Sequence, residues 1–560
     1  VAETRANTRT PEVAFNRYYT YQELTDILQG IAKDYPTLVD ITPMGQSYQG
    51  RDVWMLTITN KETGPDSEKP AIYVEGNIHA GEVTASMTAL YLIDHLTSCY
   101  GKDDAVTRLV DTRAFYVAPR VNPDGAEKYL TTPFSLRSSV RPYPDEDVAE
   151  LPGLHAEDIN GDGWILQMRV RDDRRGEWKP SLKDERAMIP RLPGEVGGPF
   201  YRIYSEGLIK DYQGEPFDVQ PSRWGLDMNR NFPSNWDPEL AGGGPYPTSE
   251  PEVRNVVEFI VNHPNIGAIQ SLHTSGGFFF RNPYQYSDDE MDQVDLAATK
   301  AIAREGQRVT GYKDVKSSNR STLPEWAYEH YGIIGFTTEL WSVLGRAGIE
   351  MEKFWDAEDP EEKEDMLIKL LDWNDKELAG SGFFSWTSFD HPQLGEVELG
   401  GWNPKYFFQN PPPSFLEQEC HKNAHWLMKH ASALPLAVIG EVEAEAVGGD
   451  VYRVSALVEN LGYLATATTN KALEVKAVKP DRVRLVLPED GVELVSGERE
   501  VEVGNLDGYH QGQQGRWSKV PAKSSARVQW VLKRGADAAE VEIVLWTQRA
   551  GSDRKKVTLG

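Results

Sequence analysis
At 560 residues and 62.9 kDa the chain is too long for one compact core, so two or three domains are expected. With 59 Lys and Arg against 86 Asp and Glu, the formal charge is −27. That leaves no basic surplus to displace counterions from phosphates and argues against a general nucleic-acid binder. The same charge either attracts basic substrates or acts as a solubility device. Cys99 and Cys420 are the only cysteines, too few for a disulfide framework or a cysteine metal cluster. No apolar run approaches the roughly 18 residues that a membrane span needs. The start, Val1-Ala2-Glu3-Thr4-Arg5, lacks the pattern of a signal peptide. Because a removed targeting segment would leave no trace, secreted or periplasmic location is a preference only.

After a short extension, residues 1–14, strands and helices alternate. Thr20-Tyr21-Gln22-Glu23 has capping-box spacing, and Leu24, Ile27, Leu28 and Ile31 follow on one helical face. Val39 to Ile58 reads as two strands around a glycine turn. Ala71-Ile72-Tyr73-Val74 is a buried strand, 82–96 a helix, and Phe115-Tyr116-Val117-Ala118 a strand ending at the turn Asn122-Pro123-Asp124-Gly125. Residues 126–222, rich in Pro, Gly and charge, read as irregular loops walling a cleft. Further on come a helix over 253–261, a strand over 267–272, a helix over 323–331 and a strand over 333–338. A second irregular region spans 380–414, and a helix over 415–431 closes this part. The alternation predicts an α/β sheet flanked by helices over residues 15–435.

From 436 to 560 the texture changes. Tyr452, Val454, Ala456 and Val458 alternate with polar neighbours, as do Val483, Leu485 and Leu487, and Val541, Ile543 and Leu545. This period-two pattern predicts an all-β sandwich, immunoglobulin-like or fibronectin-like, with Trp517, Trp530 and Trp546 as core residues.

Four polar clusters sit at the ends of apolar runs in the first domain: His79-Ala80-Gly81-Glu82, Asp227-Met228-Asn229-Arg230-Asn231, Ser271-Leu272-His273-Thr274 and Thr337-Thr338-Glu339. Two histidines and a glutamate suit a catalytic zinc ion with one open position. His79 and Glu82 can share one turn, and His273 can arrive from the end of a neighbouring strand. Glu339 ends an otherwise apolar strand, where a carboxylate is costly without a partner or a task. Beside a metal it suits a general base that takes a proton from water and returns it to a leaving amine. Asn229 and Arg230 suit bidentate capture of a carboxylate. Arg169, or alternatively Arg171, is the candidate to stabilise an oxyanion. Asp158, Asn160 and Asp162 begin like a calcium loop, but Arg169 stands where its glutamate is required; the choice lies between a self-stapled turn and a Ca²⁺ site.

Together, HxxE, Asp-x-Asn-Arg-Asn, Ser-x-His and Thr-x-Glu-Leu resemble the zinc metallocarboxypeptidases typified by pancreatic carboxypeptidases A and B, over roughly residues 15–435. The resemblance implies a mixed eight-stranded sheet flanked by helices and Zn²⁺ on His79, Glu82 and His273. It further implies Asn229 and Arg230 on the substrate's terminal carboxylate, Glu339 as catalytic glutamate, and Arg169 as oxyanion arginine. The implied substrate is a peptide or protein with a free C-terminal carboxylate. Three departures stand out. The interval from Glu82 to His273 is longer than in the pancreatic enzymes, and Thr274-Ser275-Gly276-Gly277 replaces a nearby tyrosine. The place of the mobile active-site tyrosine falls near Ser317, with Tyr312 the nearest substitute for hydrogen bonding to substrate. Alternative readings keep the zinc but act on cell-wall peptides (γ-D-glutamyl or D-residue substrates) or as an amidohydrolase on modified amino acids. A third makes the first domain inactive and the sandwich an adhesion module.

Overall fold
The computed structural model describes residues 13–144, 146–214, 216–513, 521–535 and 537–560. Trp517 lies outside these residues. Of the expected extension only Val13 and Ala14 are described, and Val13 packs into the main core.

Eight strands form the central sheet: β1 (Val39–Gln46), β2 (Asp52–Ile58), β3 (Ala71–Gly76), β4 (Ala114–Ala118), β5 (Ile266–Thr274), β6 (Phe278–Arg281), β7 (Lys313–Lys316) and β8 (Ile334–Leu340). Their spatial order is β1-β2-β4-β3-β5-β8-β6-β7. The inner pairs β4/β3, β3/β5 and β5/β8 are parallel, whereas β1/β2, β2/β4 and β6/β8 are antiparallel. Every residue of β3, β4 and β5 is buried, which is why these strands read as continuous apolar runs instead of alternating.

Helices cover both faces. On one, the helices Tyr21–Asp34, Val83–Cys99, Asp104–Thr112 and Pro413–Ser432 pack on Ile72, Val74, Phe115 and Val117. On the other, Pro251–Asn262 and Leu323–Tyr331 pack on Tyr73, Tyr116 and Ile269. From β3 the chain turns back to place β4 on one side, and later lays β5 on the other. Beyond the carboxyl ends of β3 and β5 this reversal opens a crevice of the kind that binds ligands in such sheets.

The two regions expected to be irregular keep long turns but also contain strands. Strands Phe383–His391, Gly395–Trp402, Gln167–Arg171, Tyr201–Ser205, Trp178–Pro180 and Met188–Pro190 join in one six-stranded sheet, in that order. One of its pairings joins segments over 200 residues apart, with Glu398 opposite Arg169, 229 residues away in sequence. Neither half shows a complete amphipathic pattern alone, so the sheet is invisible to a local reading.

The chain passes from the helix Pro413–Ser432 into a strand, Ala437–Gly448. Two four-stranded sheets then pack face to face as a sandwich. Val454, Ala456, Val458 and Trp530 from one meet Val483, Leu485, Ile543 and Leu545 from the other. Trp530 is a core residue whose indole N–H donates to the Glu498 carbonyl at 2.7 Å. Trp546 is 37% exposed and does not belong to that core.

Asp481 is buried in this domain and accepts hydrogen bonds from the Thr466 hydroxyl at 2.6 Å and the Leu506 N–H at 3.3 Å. Burial pushes its carboxyl up to about 7. The folded state therefore holds a proton that the unfolded chain, titrating near ~3.9, has released. Its contribution to stability is complete below the unfolded value and declines as pH rises to about 7. Chemical denaturation from pH 4 to 8 should show that decline, and Asp481→Asn should flatten it. An unchanged pH slope in the variant would contradict the assignment.

Candidate metal centre and substrate cleft
At the end of β3 the backbone must turn sharply against the helix Val83–Cys99. A Cβ on Gly76 would lie 2.8 Å from the Ala85 backbone, so only glycine fits there. Asn77 then takes a left-handed φ of 63°, and its side-chain amide donates to the His79 carbonyl at 2.6 Å. This shapes the turn in which the Glu82 N–H donates to the His79 carbonyl at 3.2 Å. Glu82 is the N-cap residue of Val83–Cys99, where the helix dipole favours negative charge. His273 comes from the carboxyl end of β5.

The three side chains meet. His79 Nδ1 is 2.9 Å from one Glu82 carboxylate oxygen, and His273 Nδ1 is 2.9 Å from the other. The two Nδ1 atoms are 3.1 Å apart, and all three residues are buried. A tetrahedral zinc ion with bonds of ~2.0–2.1 Å would space its ligand atoms about 3.4 Å apart. The observed triangle is close to that size. Two imidazole nitrogens and a carboxylate aimed at one point present lone pairs that a single proton cannot satisfy together. The donor set fits Zn²⁺. Among the described residues it is the only group of three or more such side chains whose ligand atoms all lie within 4.8 Å of one another.

The distal nitrogens are held as well. His79 Nε2 donates to Asp227 Oδ1 at 2.8 Å, and His273 Nε2 is 3.0 Å from the Ser271 hydroxyl. Ser271 donates in turn to buried Glu75 at 2.9 Å. Such outer partners fix each imidazole's tautomer and direction. Burial alone would raise the carboxyls of Glu82 and Asp227, but the adjacent imidazoles outweigh it and hold both well below their usual range.

Glu339 lies opposite His273 in the parallel register of β5 and β8. Burial first, then the charge of Glu82, push its carboxyl up to about 8, against opposing influences from His79, Arg137 and Arg230. A dication held by His79, Glu82 and His273 would add a further opposing charge. Asn229 and Arg230 form a short turn capped by Asp227, whose carboxylate accepts from the Asn229 N–H at 3.0 Å. The Asn229 amide is 3.5 Å from His273 Nε2, and Arg230 Nη2 donates to Asn319 Oδ1 at 3.0 Å. The clamp candidates thus adjoin the metal ligands.

Two expected residues are elsewhere. Arg169 makes a bidentate pair with Glu398, both bonds 2.9 Å, and stacks on Tyr201 and Trp386. It belongs to the six-stranded sheet, where cross-strand pairing consumes its guanidinium. Arg171 pairs with Asp173 on the surface. Among the described residues the arginine bonded to a metal-ligand candidate is Arg137, which sequence reading passed over. Its guanidinium is 3.2 Å from Glu82 Oε1 and 3.2 Å from Asp227 Oδ2, and its side chain is 47% exposed. Its neighbour Ser138 donates to the Ile78 carbonyl at 2.8 Å, and the Ala80 N–H donates to the Arg137 carbonyl at 3.1 Å. The turn Asn122-Pro123-Asp124-Gly125 was the available signal, since the Asn122 amide ties Ile78 and Ser138 together at 3.2 and 2.8 Å.

Tyr312 does not reach the cleft. Its hydroxyl donates to Glu419 and accepts from the Trp341 N–H at 2.8 Å, and its ring packs against Phe279. Those bonds lock it in the core. Asp158, Asn160 and Asp162 accept hydrogen bonds from the N–H groups of Gly161, Gly163, Asp162 and Trp164 at 2.8–2.9 Å, a turn stapled by its own side chains. Cys99 and Cys420 are free thiols.

Replacing Asp227 with Ala should weaken zinc binding by roughly 10–100-fold, read by competition with a chelator. Affinity equal to wild type would show that Asp227 does not orient His79.

A family model described as zinc carboxypeptidase matches residues 24–348, and one described as a domain of unknown function matches residues 437–558. Human carboxypeptidase D is 35% identical over 116 residues, which cover 21% of this chain and 8% of that protein. Rat carboxypeptidase A2 is 25% identical over 304 residues, covering 52% of this chain and 54% of that protein. The chain thus spans less than a tenth of the first relative and about half of the second. A solved carboxypeptidase A from Helicoverpa armigera shares 16% identity at a TM-score of 0.41, covering 76% of each chain. The family model alone spans more than half of the 560 residues, and the chain belongs to the zinc carboxypeptidase family.

Proposed function
We propose that this protein is a zinc-dependent carboxypeptidase that removes the last residue from peptides or proteins with a free C-terminal carboxylate. The observation that carries the reading is the convergence of His79, Glu82 and His273, with Glu339 in register beside His273. Family membership, and relatives named as carboxypeptidases, support it.

When bound, zinc polarises the scissile carbonyl and makes water acidic enough to attack near neutral pH. The chain's own groups supply the rest. Glu339 takes the proton from the attacking water and delivers it to the departing amine. Arg137, already turned toward the ligand cluster and half open to solvent, faces the negative charge that develops on the carbonyl oxygen. Arg230, oriented by Asn319, and Asn229 receive the terminal carboxylate, which sets the scissile bond one residue from the chain end.

The decisive experiment is product analysis on a peptide panel that varies the last residue, its stereochemistry and terminal amidation, with zinc measured on the same sample. Release of single residues from free C-termini, abolished by a chelator, is expected. Cleavage confined to D-residue or γ-linked peptides would replace the reading with the cell-wall alternative.

Glu339→Gln should keep its zinc while turnover falls by roughly 10²–10⁴-fold; a near-normal rate would remove the base role. Arg137→Ala should lower kcat by about 10²–10³-fold, whereas Arg169→Ala leaves kcat close to wild type in the folded fraction. The reverse ranking would return the oxyanion role to Arg169. For Arg230→Ala, the loss should fall on substrates with a free α-carboxylate. Equal losses on amidated peptides would dispose of the carboxylate clamp.

A further inference from the structure
The helix Leu323–Tyr331 links the two proposed substrate-handling regions. At its start the Leu323 N–H donates to Asn229 Oδ1 at 3.3 Å. Its end turns at Gly332 into β8, the strand that carries Glu339. The first turn is capped from within the catalytic domain, by Thr322 and Glu325 in a capping box and by Asn235 donating to Glu325 at 2.7 Å.

The other end is held by the C-terminal domain. Arg549, 1% exposed, donates to the Tyr331 carbonyl at 2.8 Å and to the Thr468 hydroxyl at 2.9 Å. Thr468 and Thr469 donate to the Gly332 carbonyl at 3.2 and 2.6 Å. Carbonyls at a helix end lack intrahelical partners and carry the negative pole of the dipole. They therefore suit a buried guanidinium, one of whose Nη donors the Tyr331 carbonyl receives.

The contact is also sterically closed. Gly332 takes φ +60°, and a Cβ there would lie 2.2 Å from the Ala472 nitrogen. The short helix Asn470–Glu474 begins at this point, and the Asn470 and Lys471 N–H groups donate to the Asp295 carboxylate at 2.8 and 3.0 Å. Tyr328, on the braced helix, donates to the same carboxylate at 3.1 Å. A flexible tether needs none of these contacts.

We propose that the C-terminal sandwich acts as an intramolecular brace: through Arg549, Thr468 and Thr469 it fixes the helix Leu323–Tyr331, and through that helix the direction of Asn229. The inference rests on the role given above to Asn229 as a carboxylate ligand. β8 is already secured between β5 and β6, so the brace bears on substrate binding more than on Glu339. Arg549 is accordingly a positioning residue.

The test uses the full chain, with Arg549→Ala and the double variant Thr468→Val/Thr469→Val, well below the unfolding temperature. KM for free-carboxylate peptides should rise on the order of fivefold with kcat within about twofold, and zinc content should be unchanged. Hydrogen exchange should quicken over residues 323–332. Arg549→Lys should recover part of the KM, and Arg453→Ala, on the outer surface of the sandwich, should change nothing. A purely structural role would lower the melting temperature and leave KM alone, and that result would overturn the proposal. Should Arg549→Ala fail to fold, the threonine double variant decides by the same readouts. If the wild-type protein releases no C-terminal residues, the functional reading falls. Exchange over 323–332 still judges the brace, which is refuted if the variants match wild type.

Discussion
Three buried donors within about 3 Å of one another are unstable company without a cation between them, and the rest of the catalytic domain is arranged to keep them there. Glu82 is desolvated, and two imidazoles present the same nitrogen to the same point. Each imidazole is held from behind, His79 by Asp227 and His273 by Ser271. Ion binding in such a setting is coupled to folding, because the unfolded chain has no comparable site.

The sheet explains why residues 79 and 273 meet. β3 and β5 are parallel neighbours separated by almost two hundred residues of chain, and both end at the same edge. Glu339 arrives on the next strand in register with His273, so backbone pairing alone sets a carboxylate beside the ligand cluster. The turn 227–230 gathers three contacts around the ligand cluster in four residues. Asp227 bonds His79, Asn229 lies by His273, and the Arg230 guanidinium is held by Asn319.

The central sheet, the zinc ligands and the sandwich were legible in the sequence, because each leaves a local trace. Continuous apolar strands such as Ala71–Val74 end in polar ligands, and the tail alternates with period two. What was not legible depends on contacts between distant segments. Arg169 has the look of a functional arginine, yet its partner Glu398 lies 229 residues away and no spacing rule connects them. Arg137 sits in a stretch with little periodicity, and long-range hydrogen bonds of Asn122, Ser138 and Ala80 to this segment bring it to the site. Tyr312 was near in sequence count to the expected place, but the buried Glu419 and the Trp341 N–H claim its hydroxyl. Residues 167–205 and 383–402 are joined into one sheet through Glu398 opposite Arg169, a pairing that no local pattern announces.

Anomalous diffraction at the zinc absorption edge, from crystals of the metal-loaded protein, bears most directly on this account. It predicts one strong peak bonded to His79 Nδ1, His273 Nδ1 and the Glu82 carboxylate, with Glu339 nearby but not bonded. A peak at any other set of side chains, or ligation through the Nε2 atoms now engaged by Asp227 and Ser271, would contradict it.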